Sequence, residues 1–318
     1  MKVTEHITKA AGKPLFSFEI LPPLKGQNIQ SIFDSIDPLM EFNPPFIDVT
    51  YHREEYEFKE LASGLLEKKI VRKRPGTVGI CAAIQNKYQV DAIPHILCGG
   101  FTKEDTENFL IDMDFLGIQN VMALRGDAVK NETYFKAEKN GNRFASELVA
   151  QITNLNSGIY LDEDLQNSSS TNFCIGVAGY PEKHMEAPSI DSDIYFLKQK
   201  IRNGASYIIT QMFFDNKKFF DYVSKCRKEG ITVPIIPGLK PLSARKQLNQ
   251  IPHRFSVDFP DELIMNVVKA KDEEAVKEIG IAWCIAQSKE LIAAGIPVLH
   301  YYSMGKSQNI RRVAEAIF

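Results

Sequence analysis

An α/β fold built on parallel strands, with a closed barrel as its simplest form, is the class this sequence predicts. Three observations carry the prediction. Apolar strand-like runs, each ending in an abrupt polar cluster, recur about eight times along the chain. Segments of helical periodicity lie between them, and strand alternating with helix is the pattern of a parallel sheet. Several helical segments end in glycine just before the next apolar run, at Gly117, Gly204, Gly230 and Gly295. Glycine accepts the left-handed conformation that stops a helix, so these are copies of one helix-to-strand joint. At 318 residues the chain is long enough for two ordinary domains or one large barrel. No linker-like boundary divides it, so a single domain over residues 1–318 is the expectation.

The strand candidates, in order, begin with FSFEIL, which ends at Glu19, FIDVTY, which carries Thr50, and AIPHILC, which carries His95. VMALRGD follows, ending in Arg125 and Asp127, then CIGVAGY, ending at Tyr180, and IITQMFF, carrying Gln211. VPIIPGL and VLHYYSM complete the series. Helical periodicity covers residues 28–41, 102–116, 193–202, 217–228 and 273–294. Residues 54–89 read as a charged helix followed by TVGICAAIQNKY, which fits either a strand or a second helix. Helix is expected there, because a right-handed crossover must separate the strand at Phe46 from the one at Ile93. Residues 156–172 are rich in Ser and Asn and read as a long surface loop inside the domain. In a closed parallel barrel all strand ends point to one rim, so polar residues scattered along the chain would converge on one site. An enzyme is therefore the first functional hypothesis.

Composition narrows the partners. With 44% apolar and 25% charged residues the chain can bury a large core. A formal charge of −2 gives no footprint for nucleic acid. The run Lys68, Lys69, Arg72, Lys73, Arg74 reads as a solvated helix end rather than a phosphate track. The cysteines, Cys81, Cys98, Cys174, Cys226 and Cys284, form no CxxC pair and no zinc-ribbon spacing, which fits a reduced cytoplasmic compartment. The start of the chain is polar and no apolar run approaches the ~18 residues of a membrane span. A soluble protein that is not exported is expected.

Glu19 stands among Phe16, Phe18, Ile20 and Leu21. Loss of solvation raises the pKa of such a carboxyl and suits it to donate a proton near neutral pH. The alternative is a strand-end carboxylate facing solvent or pairing with a lysine. In VMALRGDAV, Arg125 and Asp127 are separated by a glycine that permits close approach of a ligand. The arginine could grip a phosphate or carboxylate and the aspartate could stabilise a developing cation, unless the two simply pair with each other. His184 and Glu186 make an HxE, but the PCxxC that completes a zinc-deaminase site is missing, and no metal is expected. There is no GxGxxG and no GxxxxGK[ST], so a nucleotide would not be held by a Rossmann crossover or P-loop. Asp193 and Lys200, seven residues apart, share a helical face where they could take a ribose hydroxyl and a phosphate, or simply face solvent.

Taken in order, FSFEILPP, DVTY, PHILC, ALRGD, VAGYPEKHMEA, ITQMFFD, IPGLKPL and HYYSMGKSQ resemble the methylenetetrahydrofolate reductases over residues 16–308. The resemblance implies a (β/α)8 TIM barrel that binds FAD noncovalently. It also implies reduction of 5,10-methylenetetrahydrofolate to 5-methyltetrahydrofolate with NADH or NADPH, in a ping-pong cycle. On it, Glu19 is the general acid that assists opening of the folate imidazolidine ring to an N5 iminium cation. Asp127 lies near flavin and pterin and stabilises that cation. Gln211 contacts folate and nicotinamide in turn, and Gln247, Tyr302 and Lys306 are further substrate contacts. The implied FAD residues begin with Thr50, Tyr51, His95, Leu124, Arg125, Gly126 and Asp127. They continue with Ala145, Tyr180, His184, Ala187, Asp193 and Lys200, and Thr50 also faces the nicotinamide.

The chain departs from the family pattern at several points. It reads FEILPP where many members read FEFFPP, and His52 and Arg53 stand where small residues are common. Lys306 replaces an arginine that commonly meets the folate, keeping the charge and losing the bidentate fork. Ile251 stands at an apolar position associated with stacking on substrate. The resemblance also implies a homo-oligomer, and small-molecule partners only. Two other classes fit the same barrel: a pterin-binding transferase without redox cofactor, and a nonenzymatic subunit that carries flavin or docks to an electron-transfer partner.

Overall fold

A computed structural model describes residues 1–129, 132–305 and 307–318. In chain order the strands are β1 (Leu15–Ile20), β2 (Phe46–Val49), β3 (Glu55–Glu60), β4 (Leu66–Val71), β5 (Asp91–Leu97), β6 (Asn120–Leu124), β7 (Cys174–Gly179), β8 (Tyr207–Thr210), β9 (Ile235–Ile236), β10 (Gly238–Leu239) and β11 (Val298–Tyr302). The helices are α1 (Val3–Lys9), α2 (Gln30–Ile36), α3 (Thr77–Tyr88), α4 (Lys103–Phe115), α5 (Ala145–Asn156), α6 (Ile190–Arg202), α7 (Asn216–Lys228), α8 (Gln247–Phe255), α9 (Asp261–Lys269), α10 (Glu273–Ala293) and α11 (Ser307–Glu315).

Every apolar run of the sequence reading is a strand, and these strands pair in parallel in the order β10-β11-β1-β2-β5-β6-β7-β8-β9. The two ends of that order, β9 and β10, flank Pro237 in one segment, so the sheet closes into a TIM-type barrel. Proline has no N–H to give a ladder, which splits the segment, but its carbonyl still accepts from His300 N at 3.1 Å. The expected helix-to-strand joints are present, with Gly117, Gly204, Gly230 and Gly295 all at positive φ.

Period-two alternation decides what each strand buries. Phe16, Phe18 and Ile20 of β1, Ile47 and Val49 of β2 and Leu299 and Tyr301 of β11 face outward into the helix layer. Phe46, Ile93, Met122, Cys174, Tyr207, Ile209 and Val298 meet inside the barrel. α1 closes the floor, with Val3 in that inner cluster and its N–H donating to Asn120 Oδ1 at 2.8 Å. Above this floor the inward positions turn polar: Ser17 and Glu19 follow Leu15, Asp48 follows Phe46, His95 follows Ile93, and His300 follows Val298. The barrel is thus dry at its base and hydrogen-bonding at its mouth.

The stretch after β2 corrects one expectation. The charged helix expected from residue 54 is instead the antiparallel hairpin β3–β4, while TVGICAAIQNKY is helical as expected, in α3. The physical reason is cross-strand pairing: Glu57 stands opposite Lys69 and Lys59 opposite Glu67, which a helix would not bring together. The basic run is therefore no helix end; it lies on β4 and the segment after it. The helix expected over 28–41 stops at Ile36 and continues as a 3-10 turn, Asp37–Phe42, with Pro38 in its first turn. Residues 157–172 form the expected loop between α5 and β7. All five cysteines are buried and unpaired. Among the described residues no helix is long and apolar enough to cross a membrane.

Candidate active site

Glu19 ends the inward face of β1 with its side chain 12% exposed. Burial disfavours its charged form and Asp48 adds to that, while His95 and Lys240 oppose, so its pKa is pushed up from 4.5 to about 7. His95 Nε2 lies 3.6 Å from Glu19 Oε2 and 3.4 Å from Asp48 Oδ2. Burial alone would lower the His95 pKa, but Asp48 and Glu19 outweigh it and the net shift is upward. His300 Nδ1 sits 4.0 Å from Asp48 Oδ1 and 3.0 Å from Ser17 Oγ. Its burial lowers its pKa to about 4, so the ring is neutral at physiological pH. β1, β2, β5 and β11 therefore bring one polar cluster together under the mouth.

Asp48, fully buried, is the member that sequence reasoning did not select. The signal for Asp48 was parity, since it lies two residues before Thr50 and so on the same face of β2. Thr50 caps that strand, its N–H donating to Ile20 O at 3.1 Å. Tyr51, one residue on, packs against Phe101 at 5.1 Å between ring centroids, on the outer side of the mouth.

A second group lies after β6 and β7. Arg125 does not pair with Asp127; its Nη1 meets Glu186 Oε2 at 2.6 Å, and its guanidinium lies 5.0 Å from the Phe135 ring. Asp127 is exposed, and its carbonyl accepts from Arg53 Nη2 at 3.1 Å. Arg53 also reaches Glu132 Oε2 at 3.3 Å, so the unusual residue after VTYH fastens this loop. Leu124 ends β6 half-buried, and Gly126 turns the chain at φ +85°, a conformation L side chains rarely adopt. Tyr180 and His184 meet edge to face at 4.8 Å. Asp193 accepts from the His184 N–H, and Lys183 Nζ donates to Ala187 O at 2.9 Å, which fold the 180s loop against α6. The HxE residues are thus taken up by this loop and by Arg125. Among the described residues no group of three His, Cys, Asp or Glu is placed to hold a metal ion.

Lys200 runs inward from α6, donating to Ala178 O at 2.9 Å. Burial outweighs the attraction of Asp193 and lowers its pKa to about 8. Ala145 opens α5 on the same side of the barrel. Gln211 follows β8, with its Oε1 accepting from Met212 N at 2.9 Å. Tyr302 donates to Thr210 O at 2.6 Å. Gln247 and Ile251 lie on α8. The Gln247 Oε1 accepts from Ser243 N at 2.7 Å and Ala244 N at 3.0 Å, so only its amide N–H groups remain for a ligand. Ile251 is buried in a cluster with Met212, Phe214 and Leu242. Lys306 lies outside the described residues.

Comparison with known proteins adds a family. The profile described as Methylenetetrahydrofolate reductase matches residues 2–317. Methylenetetrahydrofolate reductase 1 of Schizosaccharomyces pombe is 33% identical over 307 residues, covering 96% of this chain and 46% of its own. The 5,10-methylenetetrahydrofolate reductase of Escherichia coli K12 is 28% identical over 307 residues, covering 96% of this chain and 91% of its own. The chain thus spans about half the length of the fungal and plant relatives it matches. Among solved structures, an uncharacterized protein from Clostridium thermocellum that binds two copies of 5-methyl-5,6,7,8-tetrahydrofolic acid aligns over 99% of this chain and 98% of its own. Its TM-score of 0.58 at 14% identity bears on the fold alone and agrees with the barrel.

Proposed function

The chain belongs to the methylenetetrahydrofolate reductase family, and from that premise we propose that it reduces 5,10-methylenetetrahydrofolate to 5-methyltetrahydrofolate at the mouth of the barrel. The observation that carries the reading is Glu19: a carboxyl with a pKa near 7, set between a dry barrel floor and an open rim. An ordinary glutamate is ionised at neutral pH and has no proton to give. Glu19 keeps a substantial protonated fraction there, as a general acid must.

In this reading Glu19 gives its proton to the folate nitrogen that leaves as the imidazolidine ring opens, and the carbon left attached to N5 becomes an iminium cation. His95, 3.6 Å away, stands next to the carboxylate that results and is able to share a proton with it. Asp127, fixed through its backbone by Arg53, presents a negative charge at the rim to steady the cation. Gln211, Gln247, Tyr302 and Lys306 are the proposed folate contacts, with Gln211 and Thr50 also serving the nicotinamide.

FAD is the proposed noncovalent cofactor, and it supplies the two-electron chemistry linking nicotinamide oxidation to reduction of the methylene carbon. The donors after β6 and β7 suit its diphosphate. Among the described residues Lys200 forms no ion pair, the attraction of Asp193 does not offset its burial, and this is a state that an anion would relieve. Arg125, Tyr180 and His184 line the same side, with Asp193 for a ribose. NADH or NADPH is the proposed donor, leaving before folate enters. We further read residues 1–318 as one catalytic domain, working as a homo-oligomer in a reducing, cytoplasmic compartment that suits five free thiols.

Anaerobic mixing of the purified protein with NADH or NADPH tests the proposal. Bound flavin should bleach with one or both donors, and methylenetetrahydrofolate should restore its colour. In Glu19→Gln the bleaching should persist while the folate step slows by ~10²–10⁴-fold, the usual worth of a general acid. A colourless protein, or equal loss in both half-reactions, would reject this division of roles.

A further inference from the structure

The basic run that leads out of β4 ends against the head of α3 and takes no part in the proposed reaction. Gly76 is the N-cap of that 12-residue helix, with no side-chain cap and no acidic residue in the first turn. The N–H groups of Thr77, Val78 and Gly79 have no partner within the helix, as in any first turn, and none outside it among the described residues. Arg72 lies against the same point, since a Cβ on Gly76 would come 3.0 Å from its Nη2. A guanidinium at the positive end of a helix is repelled, not held. The Arg72 Nε is buried without a hydrogen-bond partner among the described residues, and so is the Oγ1 of Thr77, a residue with 0% of its surface exposed. Because Cα–Cβ bonds tilt towards the N-terminus of a helix, the side chain of its first residue leans to the head. Donors thus converge on one point without an acceptor.

We propose that the head of α3 binds a phosphate monoester. Arg72 pairs with its charge, and the N–H groups of Thr77, Val78 and Gly79 donate to its oxygens together with the Thr77 hydroxyl. Gly79 is exposed and a Cβ there would meet nothing within 4 Å, so a ligand can reach the backbone from outside. This site is separate from the proposed FAD side, which lies after β6 and β7, and the FAD diphosphate has no monoester end to offer it. The Arg72 guanidinium lies 5.9 Å from the ring of Tyr51, which follows Thr50, the proposed nicotinamide contact. Two sources carry the required group: the 2′-phosphate of NADPH, which rests on the proposed function, and a separate phosphorylated metabolite, which does not.

Melting of the full chain in inorganic phosphate, against chloride at equal ionic strength, tests the site without reference to activity. Phosphate should raise the melting temperature of the parent and of Lys200→Ala alike, which separates this site from the anion site at Lys200. Arg72→Gln should weaken phosphate binding by about tenfold or more, the worth of a charged hydrogen bond. Thr77→Val removes only the hydroxyl: without phosphate it should melt no lower than the parent, and it should bind phosphate about fivefold more weakly. A hydroxyl with a merely structural role would give the opposite pattern. Titration with NADPH and NADH tells the sources apart. Tighter binding of NADPH that Arg72→Gln abolishes assigns the monoester to the dinucleotide, whereas equal binding, or a preference that survives Arg72→Gln, assigns it to a separate metabolite. Binding of neither would sink the donor reading and leave the phosphate response standing. No melting shift with phosphate, a shift that both Arg72→Gln and Thr77→Val leave intact, or one lost in Lys200→Ala, would overturn the proposal.

Discussion

Glu19 illustrates how a residue suited to chemistry weakens the fold that holds it. Its pKa rises from 4.5 to about 7 on folding, so between these values the folded protein binds the proton more tightly than the unfolded chain. The stability linked to that proton is present below pH 4.5 and is lost as pH rises through 7, by up to about 3 kcal/mol. Glu19→Gln should therefore melt higher than the parent at pH 8, with the difference shrinking towards pH 5, as differential scanning calorimetry would record. A difference independent of pH would mean that the carboxyl is not held protonated. The apolar neighbours of Glu19 made its shift legible from sequence. Asp48 was harder, because what makes it part of the site is His95, on a strand 47 residues further along, and a local reading contains no such distance. Arg53 was visible only as a departure from the family, and its grip on the Asp127 carbonyl needed the folded loop.

The joints between helices and strands were read correctly because they are local: a glycine after a periodic run is a stop signal whatever surrounds it. They are not equal in the structure. A Cβ on Gly117 would meet nothing within 4 Å, whereas on Gly204, at φ +118°, it would come 2.3 Å from Thr153 Oγ1. Gly117→Ala should then cost roughly 1 kcal/mol, for the backbone conformation alone. Gly204→Ala should cost roughly 3 kcal/mol, since a clash with α5 is added. Urea unfolding of the two variants measures the gap, and equal losses would show that α5 yields freely. The β3–β4 hairpin was missed for the opposite reason. Its density of charge resembles an exposed helix, and the alternation Glu55, Glu57, Lys59 against Phe58 and Glu60 is too short to outweigh that impression. Opposite charges facing each other across its strands settle the matter only once the turn at Gly64 has brought the strands together.

At the scale of the molecule the barrel was legible because eight runs, their glycine joints and the order of the motifs all agree on one architecture. Closure was expected as well, but which segment makes it was not legible, since nothing local says that VPIIPGL must serve both ends of the sheet. If FAD spans β6, β7 and α6 as proposed, its binding stabilises the whole barrel. At 100 times its dissociation constant the gain is ~2.7 kcal/mol. Lys200, with a pKa of about 8, is charged below that pH and loses its proton above it, so the gain should fall between pH 7 and pH 9. In Lys200→Ala the gain should be smaller and nearly flat with pH, as melting with and without FAD would reveal. A parent protein with the same gain at both values would remove Lys200 from the phosphate site.

The place where the sheet closes has a mechanical consequence. Of all the seams in the hoop, those on either side of Pro237 have the fewest ladder pairs, two with β8 and two with β11. They are fastened by side chains instead, through Gly238 N to Thr210 Oγ1 at 3.0 Å and Tyr302 Oη to Thr210 O at 2.6 Å. Thr210 is therefore a latch, set directly below Gln211. When the hoop breathes it parts here first, so exchange with heavy water should be fastest along this clasp, and the slackness reaches Gln211, the residue that in the proposed cycle serves two substrates in turn.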